Sequence, residues 1–172
     1  MSNGPHKAAF WAEFIPAHCQ FPDPELLRRH FQHASFTDFC DCGCNNFAVI
    51  IPPDVELPPL APPHSGPGHV AFFESDFHLA KSDRTLEIVL FADTRGYLDY
   101  VEVDCCANSY PVPDVIRVKE PPYHVRPAAT QCTQPDDGAN GGPLYAPLFE
   151  MISTLSLRTM RAAARRRSSC SR

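Results

Sequence analysis

Three cysteines stand at alternate positions in the stretch FCDCGCNNF, as Cys40, Cys42 and Cys44. Cysteine thiolates are common ligands of zinc, which takes four nitrogen or sulfur ligands in a tetrahedron. In an extended strand these side chains would lie about 7 Å apart on one side, too far apart for one ion. Gly43 can adopt a left-handed conformation that curls the chain. The stretch is therefore either part of a zinc site or a turn that carries three small thiols.

The spacing weighs against zinc, because zinc-binding turns usually place two residues between their cysteines. A fourth ligand would also be needed. The candidates in the sequence are His18, Cys19, His30, His33, Cys105 and Cys106. Cys105 and Cys106 are adjacent, so on a strand one would face the core and the other the surface. We expect no cofactor, with zinc at the cysteine turn as the alternative.

The chain has none of the common motifs of enzyme active sites. It lacks Gly-x-Ser-x-Gly, His-Glu-x-x-His, a glycine-rich phosphate loop and a dinucleotide fingerprint. With 8 histidines and 20 acids, many combinations of nucleophile, base and acid are conceivable, but no local motif supports any of them. We expect a protein without catalytic activity, and a hydrolase with an unrecognised site is the third hypothesis.

The formal net charge of −5 hides an asymmetry along the chain. From Arg158 onward there are six arginines and no acid, so residues 1–157 hold 9 basic and 20 acidic side chains, a net charge of −11. An acidic body binds nucleic acid poorly and suits a basic partner protein. The arginine-rich tail could make a weak contact with nucleic acid or screen the acidic body. Acidity that only maintains solubility is the simpler alternative.

Nothing in the sequence indicates export or a membrane span. The N-terminus lacks the apolar core of a signal peptide, and no stretch approaches the roughly 18 to 20 apolar residues of a transmembrane helix. We therefore expect a cytoplasmic protein, whose cysteines would be reduced or bound to metal.

The elements that must position these residues are a helix and several strands. Residues 23–34 predict a helix, with Asp23 as N-cap, Pro24 in the first turn and Leu27 and Phe31 on one face. Residues 46–51 and 69–79 predict strands. The strongest unit is a hairpin, TLEIVLFAD and YLDYVEVDCC, with Gly96 in its turn. This hairpin is expected at the middle of an antiparallel sheet, and its acids Asp93, Asp99, Glu102 and Asp104 are the candidate partner-binding residues.

The 19 prolines define the rest of the organisation. Most fall in residues 52–67, 111–127 and 135–147, which we interpret as loops because proline lacks a backbone donor. We predict an N-terminal arm at 1–20, either a short helix or mobile, an α+β domain at 21–127 and a linker at 128–143. An amphipathic helix with a disordered arginine-rich tail should follow at 144–172. The fold class is α+β, an N-terminal helix packed on a sheet of about four strands.

The cysteine turn and the hairpin together resemble a group of small uncharacterised bacterial proteins. The matching residues are Cys42, Gly43, Cys44, Gly96, Tyr97, Leu98 and Glu102, and the resemblance covers roughly residues 25–118. It carries no activity that can be transferred. In size and acidity the chain is similar to immunity proteins that neutralise toxins, which implies a non-catalytic role that engages a basic partner.

Overall fold

The described part of the computed structural model, residues 3–127, contains two helices and six strands. The strands form one antiparallel sheet in the order β1-β2-β5-β4-β3-β6. The predicted α+β class is confirmed. The elements in chain order are α1 Pro5–His18, α2 Pro24–Gln32, β1 Ser35–Thr37, β2 Phe47–Ile50, β3 Val70–Leu79, β4 Thr85–Ala92, β5 Leu98–Cys105 and β6 Val118–Pro127.

The predicted number of about four strands is wrong, because the two edge strands escaped prediction. Strand β1 has only three residues and follows α2 directly. Strand β6 lies within a proline cluster interpreted as loop, and it contains Pro121 and Pro122. Proline is tolerated on an edge strand, where half of the backbone donors need no ladder partner. The prolines therefore do not exclude a strand at the edge of the sheet, and the interpretation of this segment as a loop is wrong.

Helix α2 begins where the sequence predicts, after Asp23. Asp23 caps α2, and its Oδ1 accepts a hydrogen bond from the backbone N–H of Leu26 at 2.9 Å. For the N-terminal arm, residues 1–20, the sequence allows either a short helix or a mobile segment. Residues 5–18 form the helix α1. Trp11 and Ile15 of α1 are fully buried in the same apolar core as the sheet. The N-terminal helix is thus part of the core.

The sheet buries one face against the helices. Along β4 every second side chain is buried, beginning with Leu86, while the residues between them are half-buried. Phe77 of β3 packs edge-on against Phe14 of α1, with ring centroids 5.9 Å apart. Phe73 packs in the same way against Phe21, in the segment between the helices. This alternation fixes which residues of each strand turn away from the helices.

The hairpin of β4 and β5 is central in the sheet, as the sequence predicts. Its turn is closed by a 2.8 Å hydrogen bond from Asp93 N to Tyr97 O and a 2.9 Å bond from Gly96 N to Asp93 O. Gly96 has a φ of +80°. Its carbonyl accepts from the backbone N–H groups of Leu60 and Ala61, which ties the first proline-rich loop to the hairpin.

The predicted linker at 128–143 and the amphipathic helix and tail at 144–172 lie outside the described residues. Within the described part, neither helix is long and apolar enough to cross a membrane.

Replacing Gly96 should destabilise the fold. In Gly96→Ala the new Cβ would lie 2.0 Å from the carbonyl oxygen of Ala61, in a backbone conformation unfavourable for alanine. We expect the free energy of unfolding to fall by about 2–4 kcal/mol in urea titrations. The matched control is Gly66→Ala, whose Cβ would meet only His64 Nδ1 at 3.8 Å. Equal stability of the two variants would contradict the proposed role of the turn.

Candidate functional site

The chain curls at the cysteine loop, residues 40–46, and brings three thiols together. The Sγ atoms of Cys40 and Cys42 lie 2.7 Å apart, and those of Cys42 and Cys44 lie 2.9 Å apart. One ligand atom from each residue lies within 4.8 Å of the others. Cys40 and Cys44 are buried and Cys42 is exposed. The predicted separation of about 7 Å along a strand therefore does not apply here.

Gly43 is the residue that permits this curl. Its φ is +102°, a conformation that side-chain-bearing residues rarely adopt. A Cβ at this position would lie 3.2 Å from Cβ of Pro111. The carbonyl of Gly43 also accepts a hydrogen bond from Val112 N at 2.9 Å. The loop is thus held from outside by a segment far away in the sequence.

The two asparagines of the motif anchor the loop to strand β5. Asn46 Oδ1 accepts from Val103 N at 2.8 Å, and Asn45 N donates to Val103 O at 2.9 Å. The backbone N–H of Cys40 donates to Asn46 O at 3.1 Å, which closes the loop. When the Asn45 amide is oriented to satisfy its neighbours, its oxygen accepts from Trp11 Nε1 at 3.2 Å. The loop is therefore connected to both the sheet and helix α1.

The surroundings of Cys44 favour the protonated form of its thiol. Burial raises the pKa of the Cys44 thiol, and hydrogen bonding with Cys42 raises it further. A cation reverses this preference, because a thiol that coordinates a metal is deprotonated. The sulfur atoms of a tetrahedral zinc site lie about 3.8 Å apart, given a Zn–S distance of about 2.3 Å. The loop would need to open by about 1 Å to hold zinc.

The fourth ligands considered from the sequence do not join the cysteine group. In the described chain that group has three members. His18 instead pairs with Glu120, and His30 Nε2 lies 2.9 Å from Pro58 O. Cys19 is fully buried, which raises the pKa of its thiol to about 12. Cys105 is in the core and Cys106 is half-buried at the end of the sheet.

Two of the four acids proposed for partner binding contribute to the hairpin turn and its flank. Asp93 Oδ1 accepts from the backbone N–H groups of Arg95 and Tyr97, each at 2.9 Å, and Oδ2 accepts from Arg95 Nε at 2.8 Å. Asp93 therefore stabilises the turn. Asp99 is more exposed and lies 3.3 Å from His69 Nδ1.

The other two acids, Glu102 and Asp104, lie on the sheet face that turns away from the helices. Strand register places them beside further carboxylates that the sequence analysis missed. Asp104 is opposite Glu87, and Glu87 is opposite Asp76. In the neighbouring row of paired residues, Val89 of β4 lies between Glu102 of β5 and Glu74 of β3. We call this surface the acidic face, made of Glu74, Asp76, Glu87, Glu102 and Asp104.

Strand β6 completes these rows with two basic side chains. His124 is opposite Asp76, and Arg126 is opposite Glu74, with Arg126 Nη1 3.6 Å from Glu74 Oε2. A ring nitrogen of His124 lies within 4.8 Å of carboxylate oxygens of Glu74 and Asp76. The alternation of Glu74 and Asp76 in β3 could have indicated two of these carboxylates. His124 gave no such signal, because β6 was not predicted as a strand.

The position of Asp76 in this face perturbs its pKa. Asp76 is 9% exposed. Burial, followed by the nearby charge of Glu74, raises its pKa from 3.8 to about 6. Like charges directly opposite each other on a sheet are destabilising. The fold therefore tolerates an unfavourable charge at Asp76.

Comparison of the chain with protein-family models, curated proteins and solved structures finds no match in any of the three.

Removing the Asp76 charge should stabilise the metal-free protein at neutral pH. Between pH about 4 and 6 the folded protein retains a proton that the unfolded chain has released, so stability falls as pH rises through this window. Asp76→Asn should therefore raise the free energy of unfolding by about 1–3 kcal/mol at pH 7.5 with chelator present, and by little below pH about 4.

The matched control for this measurement is Asp54→Asn, which removes an exposed carboxylate. Its effect should stay within about 0.5 kcal/mol at both pH values. A gain for Asp76→Asn that does not depend on pH would contradict the assignment of the cost to ionisation.

Proposed function

We propose that the protein binds a zinc-class metal ion through Cys40, Cys42 and Cys44. The observation that carries this proposal is the convergence of three sulfur atoms within 4.8 Å of one another in an anchored loop. Three thiolates favour soft or borderline ions, of which zinc is the one most often held by cysteine in structural sites. The three thiols at close quarters suit a reducing compartment such as the cytoplasm.

The shape of the cysteine loop is determined by contacts that involve no metal. These contacts are made by Gly43, by the Asn45 and Asn46 anchors and by Pro111 and Val112. Zinc would need to displace thiol protons and separate the sulfurs, at a cost repaid by three Zn–S bonds. The exposed Cys42 provides the route by which an ion reaches the buried pair.

Three cysteines supply three of the four ligands of a tetrahedral zinc ion. A site whose fourth position is taken by water would keep that position open, as catalytic zinc sites do.

Metal analysis of protein purified without chelator tests the site. We expect about one zinc per chain, a chelator-dependent fall in melting temperature, and release of protons on reloading. Cobalt substitution should give a thiolate-to-metal charge-transfer band that weakens in Cys42→Ser. Calorimetry in buffers of different ionisation enthalpy counts the protons released.

The matched control is Cys106→Ser, which makes the same chemical change at a half-buried cysteine outside the group. It should retain zinc and the cobalt band. Substoichiometric zinc in the wild-type protein together with stability that chelator leaves unchanged would overturn the proposal. The mass deficit of a disulfide within the loop would instead support a redox role.

A second candidate function is suggested by the acidic face. Five carboxylates lie in register on one sheet surface across three strands. Asp76 and Asp104 are buried, whereas Glu74, Glu87 and Glu102 are half-buried. The three glutamates suit a basic partner protein. We infer that this surface engages such a partner, with toxin neutralisation as the most specific form of the proposal. Of the acids chosen from the sequence, Glu102 and Asp104 belong to this surface and Asp93 serves the turn.

Binding to a basic partner should depend on the acidic face rather than on net charge. The double variant Glu87→Gln, Glu102→Gln should lose the basic proteins that the wild type retains from native lysate at low salt. The control Asp54→Asn, Glu56→Gln changes the net charge equally at exposed positions and should retain them. Equal losses in both variants, or no basic protein retained by the wild type at low salt, would contradict this function.

A further inference from the structure

We propose a second metal site on the acidic face, in which Glu74, Asp76 and His124 bind a divalent first-row cation. Each of the three residues offers one ligand atom, and these atoms lie within 4.8 Å of one another. Glu74 and Asp76 project from one strand at positions two apart, and His124 is directly opposite Asp76 on β6. The sheet register therefore builds the group from two adjacent strands.

The polar atoms of this group point to a missing ligand. Asp76 is only 9% exposed, and its Oδ1 has no hydrogen-bond partner among the described residues. In the same part of the chain, His124 Nε2 is buried and also lacks a hydrogen-bond partner. A buried polar atom without a partner carries the full cost of its desolvation. A cation bound between these groups would remove that cost.

Pairing within the group does not account for the arrangement. Among the described residues neither Asp76 Oδ1 nor His124 Nε2 has a hydrogen-bond partner, although the two residues are opposite each other in the sheet. Arg126 lies 3.6 Å from Glu74 and does not satisfy Asp76 Oδ1. Glu87, the neighbour of Asp76 on β4, adds another negative charge rather than compensating the first. A small ion of charge +2 would offset this local excess of negative charge.

The ligand set defines the class of ion. Carboxylate oxygens suit Mn²⁺ and other hard ions, and imidazole extends the range to Fe²⁺ and Zn²⁺. Three protein ligands leave the remaining coordination positions to water. The site is chemically distinct from the cysteine loop, whose thiolates select softer ions. Mn²⁺ is therefore a probe that separates the two sites.

Electron paramagnetic resonance of the full-length, chelator-treated protein titrated with Mn²⁺ tests the proposal. We expect one bound Mn²⁺ per chain, with nitrogen coupling from an imidazole in pulsed spectra. His124→Gln should abolish the nitrogen coupling. Asp76→Asn and Glu74→Gln should each weaken binding by about tenfold or more.

Glu102→Gln is the matched control, because it removes a carboxylate of the same face outside the group. It should change Mn²⁺ affinity by less than about threefold, as expected for a nearby charge alone. Equal weakening by Glu102→Gln and Asp76→Asn would show diffuse attraction to the acidic face and overturn the proposal. So would the absence of Mn²⁺ binding to the wild type.

Two further variants keep the test independent of the cysteine site and of folding. Cys42→Ser should leave Mn²⁺ binding unchanged, and Asp76→Asn should leave zinc content unchanged, so the two proposals can fail separately. Glu74 is more exposed than Asp76, so Glu74→Gln provides the affinity measurement if Asp76→Asn does not fold. Unchanged affinity in a folded Glu74→Gln protein would also overturn the proposal.

Discussion

The pairing of strands β4 and β5 is the constraint on which the arrangement of the molecule depends. It places Leu86, Ile88 and Leu90 against the helices and turns the alternate residues outward. At the end of β5, two consecutive residues connect both candidate sites to this pairing. Val103 holds the cysteine loop through its backbone N–H and C=O, and Asp104 belongs to the acidic face. A shift of register by one residue would exchange the core and the acidic face.

The cysteine loop illustrates how a non-local contact reverses a conclusion drawn from local spacing. In a strand, one-residue gaps would spread the thiols along one side. The left-handed Gly43 curls the chain, and Pro111 with Val112, nearly 70 positions later, holds the curl in place. Gly43 was recognisable in the sequence as the residue that could permit this. Its distant support was not, because nothing local to the motif specifies it.

The central elements of the fold could be predicted because their signals are local. The Asp23 cap and the alternation of residues 85–92 and 98–105 are complete within a few residues. Strand β6 lacks such a signal, since Pro121 and Pro122 interrupt it and only its position on the sheet edge makes them acceptable. Missing β6 also meant missing His124 and Arg126, the basic residues that face Asp76 and Glu74.

The acidic face brings like charges together, which is unfavourable for folding. Asp76, Glu87 and Asp104 are consecutive neighbours across three strands, an arrangement in which like charges repel. Burial adds a desolvation cost at Asp76, which raises its pKa to about 6. Solubility alone does not require carboxylates to be aligned or buried, since exposed acids dispersed over the surface would provide it at lower cost. The cation proposed at Glu74, Asp76 and His124, or the basic partner proposed for this face, would add positive charge to this arrangement.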